Sequence, residues 1–390
     1  MEDYELQEVE FWRKLEEESM SRNAMLRRSA AAAVGLTVIS SPAAAWAARA
    51  GSDEAMTADG IPLKLIKAAK KEGHLNVIAL PHDWANYGQM ISAFKKKYGI
   101  KMTEDNPNGT SAQENQAIRS LKGDSRAPDA VDVGPSFAIA GAKEGLYKPY
   151  KVAAYKTIPK GMKDPRARWY GDYWGAISIG YNSNLIKPAP KTFKDLLKSA
   201  YKNKVALNGN PLTSNSAVSG VFAAALANGG SLNNIQPGID FFHELKKAGN
   251  FIPVEGTPQT VASGQTPIVI DWDYLNLAYK KEFPAVHWAT VIPSDGVYGS
   301  FYCQAINANA PHPNAVKLWM EFLYSDQGQL IWLKGYSHPA RFQDLAKRKK
   351  IPAALIKALP SPKLYARVKF ASDAQQTAAK AKIAAGWPGI

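Results

Sequence analysis

The stretch Ile270-Asp271-Trp272-Asp273-Tyr274 gathers the most chemically capable side chains of the sequence in five residues. An apolar run leads straight into two carboxylates that flank an indole, and a phenol follows. Paired carboxylates neutralise and hydrogen-bond an ammonium group. An indole face adds a cation–π attraction of about 0.5–2 kcal/mol. The same residues also have structural uses, since Asp273 can cap the following helix and Trp272 can pack in a core. Three further places offer ligand chemistry. Asp83 and Trp84 follow the first expected strand, where the indole can stack on a ligand or pack a helix start, and the carboxylate can bind or cap. Ser136 lies after the third expected strand, near a helix start. Thr213, Ser214 and Asn215 lead into an Ala-rich helix, where free N–H groups and hydroxyls can hold an anion or simply cap the helix. Together these places describe a small polar ligand with a cationic part and, if the helix start takes part, an anionic one.

Catalytic signatures are missing. The sequence contains no P-loop, H-E-x-x-H, G-x-S-x-G or G-x-G-x-x-G pattern, and His243-Glu244 is followed by Lys247 where a zinc motif needs a second histidine. The reading is therefore a binding protein, not an enzyme, with an unrecognised hydrolase as a remote rival. No cofactor or metal is called for. Cys303 is the single cysteine, so no intramolecular disulfide can form, and its apolar neighbours suggest a small buried hydrophobe. The net charge is +14, but the basic residues are dispersed in short runs such as Lys95-Lys96-Lys97 and Lys347-Arg348-Lys349-Lys350. Without a nucleic-acid-binding motif these read as solvated faces, not as a nucleic-acid surface.

The elements that must position these residues alternate. Segments 75–80, 101–106 and 130–134 read as strands, separated by helical periodicity over 84–98, 111–122 and 136–143. This succession predicts a doubly wound α/β unit. A Pro-, Gly- and charge-rich stretch at 159–171 interrupts it. A second alternation follows: strands at 175–182, 205–207, 267–270, 288–292 and 300–306, with helices over 193–199, 216–228, 235–248, 274–282 and 313–324. Ligands of open α/β sheets sit at the carboxyl ends of strands. The loops 81–86, 134–137, 209–216 and 271–274 are thus expected to line a cleft between two units.

The amino terminus reads as an export address. Arg27-Arg28 precede an Ala-rich apolar stretch of roughly fifteen residues, closed by a small-x-small site at Ala45 and Ala47. The paired arginines resemble a twin-arginine signal, although Ala30 and Ala31 replace its usual bulky pair. No cysteine stands near the cleavage site, so a bacterial lipid anchor is not expected. Residues 1–47 are assigned to a leader, with translation beginning at Met1, Met20 or Met25. No other segment reaches about 18 uninterrupted apolar residues, so the mature protein is not expected to span a membrane.

Five segments in order carry a resemblance. These are Ala68-Ala69-Lys70-Lys71-Glu72-Gly73 before the first strand, Ala93-Phe94-Lys95-Lys96-Lys97-Tyr98-Gly99-Ile100, Asp129-Ala130-Val131-Asp132-Val133, and Ile179-Gly180-Tyr181-Asn182-Ser183. The last runs from Asn309-Ala310-Pro311-His312-Pro313 to Ser325-Asp326-Gln327-Gly328-Gln329. Over roughly 61–340 the chain resembles the family-1 bacterial extracellular solute-binding proteins, the ferric-, thiamine-, polyamine- and aminoalkylphosphonate-binding group. The resemblance implies a two-lobed type 2 periplasmic-binding-protein fold, each lobe a mixed sheet flanked by helices. Crossovers would lie near 173–177 and 294–299, lobe one would comprise 61–172 plus 298–335, and lobe two 173–297 plus 336–390. Gly296 and Gly299 would serve the hinge. It further implies a monomeric periplasmic protein that delivers its ligand to a membrane ABC permease, or docks on a receptor as a sensor. Ferric binders of the group place a Tyr-Tyr pair where this chain has Asp273-Tyr274, with Tyr302 as a possible second phenol. Polyamine binders carry a Trp and an Asp near that point. The expected ligand is therefore cationic or zwitterionic, with iron as the alternative.

Overall fold

The computed structural model describes residues 55–390; the leader, its export signal and the alternative starts lie outside the described residues. In chain order the elements are α1 (Leu63–Glu72), β1 (His74–Ile78), α2 (Tyr87–Tyr98), β2 (Lys101–Asp105), α3 (Ser111–Ser120), β3 (Ala130–Val133), α4 (Pro135–Lys143), β4 (Tyr147–Lys148), β5 (Tyr170–Asn182), β6 (Val205–Leu207), α5 (Asn215–Ala227) and α6 (Gln236–Lys247). They continue with β7 (Phe251–Glu255), α7 (Pro258–Ala262), β8 (Ile268–Trp272), α8 (Asp273–Glu282), β9 (Trp288–Val291), β10 (Tyr298–Asn307), α9 (Pro313–Leu323) and α10 (Asp326–Lys334). The tail adds β11 (His338–Pro339), α11 (Phe342–Lys347), α12 (Ala353–Lys357), α13 (Pro362–Tyr365), β12 (Lys369–Phe370) and α14 (Asp373–Gly386).

Local chemistry sets the element ends. The helix α1 stops at Gly73, whose φ of 69° is a left-handed conformation that costs glycine nothing. The α3 start carries a reciprocal capping box between Thr110 and Gln113. The expected helix over 193–199 is instead a 3₁₀ turn, Lys194–Leu197.

Two bodies of sheet share one strand. β1 and β2 pair in parallel by themselves. The remaining strands form one ten-stranded sheet with the path β12-β10-β5-β8-β6-β7. β5 is thirteen residues long and buried throughout. Its residues 170–176 pair with β10, while Ile177–Tyr181 pair with β8 and the last four with β9. β5 therefore changes partners between Ala176 and Ile177. β10 carries β3 and β4 on its far side and touches β12 at Tyr298 and Gly299. β6 bridges β8 and β7 in parallel.

Gly296 and Gly299 sit beside this change of partners, but neither has a positive φ. A Cβ at Gly296 would lie 2.2 Å from the Ala223 carbonyl oxygen, and one at Gly299 would lie 3.1 Å from that of Gly175. Crowding, not unusual dihedrals, explains both glycines: backbone at Gly296, and at Gly299 chiefly the Val368 side chain, 2.4 Å from the added Cβ.

The tail is not confined to one region. β11 pairs with Tyr173 and Trp174 of β5. Phe342, Leu345, Ile351, Ile356 and Leu359 pack on Leu333 of α10 as a small separate core. α14 then lies against both α4 and α6: the Lys380 ammonium is 3.9 Å from the Phe137 ring centre, and Trp387 packs edge-on against Phe242. No helix among the described residues is long and apolar enough to cross a membrane.

Candidate functional site

Carboxyl ends of β1, β3 and β6 converge on a cavity of about 190 Å³. Its walls come from the β1–α2 loop, α3, β3 and Tyr302 of β10, and from the β6–α5 loop, the end of β7, α7 and α8. Four ionisable carboxylates reach the wall, Asp83, Glu114, Asp132 and Glu255, and no Lys, Arg or His does. In a chain with a net charge of +14 this local sign is the reverse of the average.

The β1–α2 loop that supplies Asp83 and Trp84 is conformationally costly. Ala79, Ala85 and Asn86 all adopt positive φ, at 57°, 45° and 68°. For non-glycine residues each such conformation costs of order 1–3 kcal/mol, and tertiary contacts must hold it. Trp84 supplies one of them: its indole N–H donates to the Tyr173 hydroxyl at 2.9 Å. Its ring meets those of Tyr302 and Tyr274 edge-on, at 5.6 and 6.1 Å between centres. Tyr302 in turn stacks on Tyr173 with 17° between planes, and its hydroxyl lies 3.2 Å from Ser216 Oγ.

Asp132 forms the floor. Its Oδ2 accepts the Tyr87 and Tyr173 hydroxyls at 2.7 and 2.9 Å, while Oδ1 is buried without a donor. Its backbone N–H donates to Glu114 Oε2 at 2.7 Å. Gln304 donates to Tyr87 and to Asp172 Oδ2, extending the network into the sheet. Burial pushes Asp132 up to about 7 despite the two hydroxyl donors. Burial, then the Asp132 charge, hold Glu114 and Asp172 well above the usual carboxylate range. Asn215 faces the floor across the cleft: both atoms of its amide are buried and unpartnered, and a Cβ added to Gly134 would fall 2.2 Å from its Cγ.

The residues singled out from sequence divide into two layers. Asp83, Trp84, Ser214, Asn215 and Tyr302 line the cavity; Asp271, Trp272, Asp273, Tyr274, Ser136 and Thr213 do not. Of the four expected loops, 81–86 and 209–216 contribute to the wall, whereas 134–137 and 271–274 stand behind it. Asp271 Oδ2 accepts Asn208 Nδ2 at 2.6 Å, and the Trp272 indole N–H donates to Ser216 Oγ at 2.9 Å. Both thus brace wall residues. Asp273 is fully buried; it accepts the N–H groups of Ala176 and Tyr274 and the Tyr365 hydroxyl at 3.1, 2.9 and 2.6 Å. Burial raises Asp271 to about 8 and Asp273 to about 7. The capping role considered for Asp83 is not used: the residue before α2 is Asn86, and no side chain caps that end. Ser214 does cap α5, accepting from Ala217.

Glu114, Asp132 and Glu255 were not anticipated as wall residues. Asp132 had a signal, an acid among apolar neighbours in a strand buried on both faces, Ala130-Val131-Asp132-Val133. Glu114 and Glu255 had none, because only the tertiary fold brings α3 and β7 to the same cavity.

Comparison with known proteins places this geometry. The profile of the bacterial extracellular solute-binding proteins matches residues 128–359. Among solved structures, the periplasmic binding protein AfuA of Actinobacillus pleuropneumoniae, with exogenous fructose-6-phosphate bound, is similar at 18% identity. It superposes with a TM-score of 0.61 over 80% of this chain and 98% of that one. Iron-bound HitA of Pseudomonas aeruginosa is similar at 18% identity, with a TM-score of 0.63 over 81% and 99%. A protein of Listeria monocytogenes described as a putative spermidine/putrescine ABC transporter is similar at 15% identity, with a TM-score of 0.59 over 80% and 99%. The mixed α/β architecture is thus that of the type 2 periplasmic binding proteins.

Proposed function

The chain belongs to the bacterial extracellular solute-binding proteins, and on that premise we propose that it is the periplasmic capture component of an ABC importer for a small organic cation. One observation carries the choice of ligand: the cavity wall presents four carboxylates and no basic side chain. A phosphate or carboxylate in that cavity would find no basic side chain to neutralise it. A cation would meet opposite charge in a site largely removed from water, where such attraction is strongest. The rings of Trp84 and Tyr302 add surfaces to which cations are attracted.

In this reading the molecule has two halves. One is built on β1–β3 and β10, the other on β6–β8, and β5 runs through the waist where it changes partners at Ala176. Ligand enters while the halves are apart. Closure brings Asn215 against Gly134 and buries the cation, and a permease receives it. The first half takes up 61–172 with 298–335 and the second 173–297, while the 336–359 part of the tail adheres to the first half through α10 and α14 lies against both. An export route through the twin-arginine system agrees with this location.

Ferric capture, the alternative, calls for phenolate oxygens. Burial raises the hydroxyls of both Tyr274 and Tyr302 above their ordinary value, and Tyr274 stands behind the wall. The donor set thus favours an organic cation.

A thermal-shift series separates the classes carried by the structural relatives. A ligand at 100 times its Kd stabilises the folded state by about 2.7 kcal/mol. We expect spermidine, putrescine or another organic cation to raise the melting temperature by several degrees, and fructose 6-phosphate and ferric citrate to leave it unchanged. Stabilisation by fructose 6-phosphate or ferric citrate, with no response to cations, would overturn the reading.

A further inference from the structure

We propose that Asp132 Oδ1 is the acceptor for an N–H of a protonated amine, and that capture of this ammonium releases a proton from the buried cluster of Glu114, Asp132 and Asp172. The proposal rests on the cation reading above and narrows it to amines that retain N–H bonds.

The geometry is specific. Tyr87 and Tyr173 both donate to Oδ2, which fixes the carboxylate of this cavity-lining residue and leaves its buried Oδ1 with no donor. It is the only carboxylate oxygen among the described residues that is buried without a partner. A buried acceptor left unmade is costly, and a charge-assisted hydrogen bond is the strongest way to satisfy it. A quaternary ammonium or a thiazolium ring nitrogen offers no N–H there. Asn215 presents a free amide oxygen and a free amide NH₂ from the opposite side of the cleft. An amine with a second polar group can satisfy both.

No cation among the described residues already serves the cluster. The groups facing Asp132 are Tyr87 on α2, Glu114 on α3, Asp172 and Tyr173 on β5, Tyr302, Cys303 and Gln304 on β10, Tyr274 on α8, and Tyr324 just after α9. None carries positive charge. None of Glu114, Asp132 and Asp172 takes part in an ion pair among the described residues. Three carboxylates in one buried cluster cannot all ionise, so protons stand in for the missing counter-ion. Burial holds Asp132 at about 7, within reach of neutral pH. When R–NH₃⁺ docks on Oδ1, the carboxylate becomes the favoured form and one proton leaves to solvent, so charge is conserved. The sign follows: below about pH 7 the ligand must displace a proton, and affinity weakens toward tenfold per pH unit; above it the linkage fades.

The test is isothermal titration calorimetry of the mature protein with putrescine and spermidine, each beside its N-permethylated quaternary analogue, in two buffers of different ionisation enthalpy at pH 6.5. We expect at least one parent amine to bind ten times or more tightly than its permethylated analogue, with release of between half a proton and one proton. In Asp132→Asn, an isosteric change, affinity should fall about a hundredfold and the proton release should vanish. Equal binding of parent and permethylated amines, or Asp132→Asn binding as the wild type does, overturns the proposal and leaves the cation reading standing. Failure of every amine and every quaternary analogue to bind overturns both. The parent-against-permethylated comparison needs no variant, so misfolding of Asp132→Asn leaves the test intact.

Discussion

Replacing Gly134 by valine should leave the protein folded and weaken ligand capture by about 5- to 150-fold. Gly134 links β3 to α4 in one half, with an ordinary φ of −64° that any residue tolerates. The space where its side chain would stand is taken by Asn215 of the other half, with Cγ, Cβ and Oδ1 all 2.2–2.4 Å from an added Cβ. In the proposed two-halved reading these contacts form only when the halves are together. Overpacking a filled site costs about 1–3 kcal/mol, and here it is charged against the closed form alone. A penalty of that size on one of two states shifts affinity by the factor above. Melting of the unliganded variant checks the fold, and calorimetry checks the affinity. Wild-type affinity in a folded Gly134→Val protein would mean that Gly134 and Asn215 do not meet during capture, and closure as described would be wrong.

Asp273→Ala should cost about 3 kcal/mol or more of folding stability. In the structure this side chain is a strut. It accepts the N–H of Ala176, the point at which β5 changes partners, the N–H of Tyr274 at the start of α8, and the hydroxyl of Tyr365 from the tail. Truncation orphans three buried donors at about 1–3 kcal/mol each, partly relieved by water or local relaxation. Asp273→Asn keeps an acceptor and should lose much less. Urea unfolding of both variants measures the difference. If Asp273→Ala keeps its stability and loses ligand affinity, the carboxylate belongs to the cavity wall and its structural role is refuted.

The comparison of these two positions shows where sequence reasoning reaches and where it stops. Most of the alternation of strands and helices was legible from 75 to 324 because burial imposes periods of 2 and 3.6 that survive without tertiary information. Residues 251–255 escaped it: Pro253 argues against a strand, yet β7 closes the path of the sheet on one side, and an edge tolerates proline. The first half of β5 escaped too, since Tyr170-Gly171-Asp172-Tyr173-Trp174 mixes acid, glycine and rings like a turn, while every residue is buried. For the site, residue type alone pointed to Asp271-Trp272-Asp273, none of which lines the cavity. The strand β8 runs into the cleft, but its last residues face the β5 waist and the α5 start, so they brace the wall and do not form it. Asp132 and Glu114 are distant in sequence, and their meeting through one 2.7 Å hydrogen bond is a product of the fold.

The claim on which the rest depends is that the cleft selects positive charge. The most direct measurement leaves the ligand unnamed. The mature protein is unfolded, freed of bound solute, refolded, dialysed against a small-molecule extract of a bacterial culture and washed. Bound species are then released by denaturation and identified by mass spectrometry in both ion modes. The account predicts that what is retained, above a denatured-protein control, is an organic amine cation. Retention of a sugar phosphate, a carboxylate or a ferric chelate in its place would contradict it.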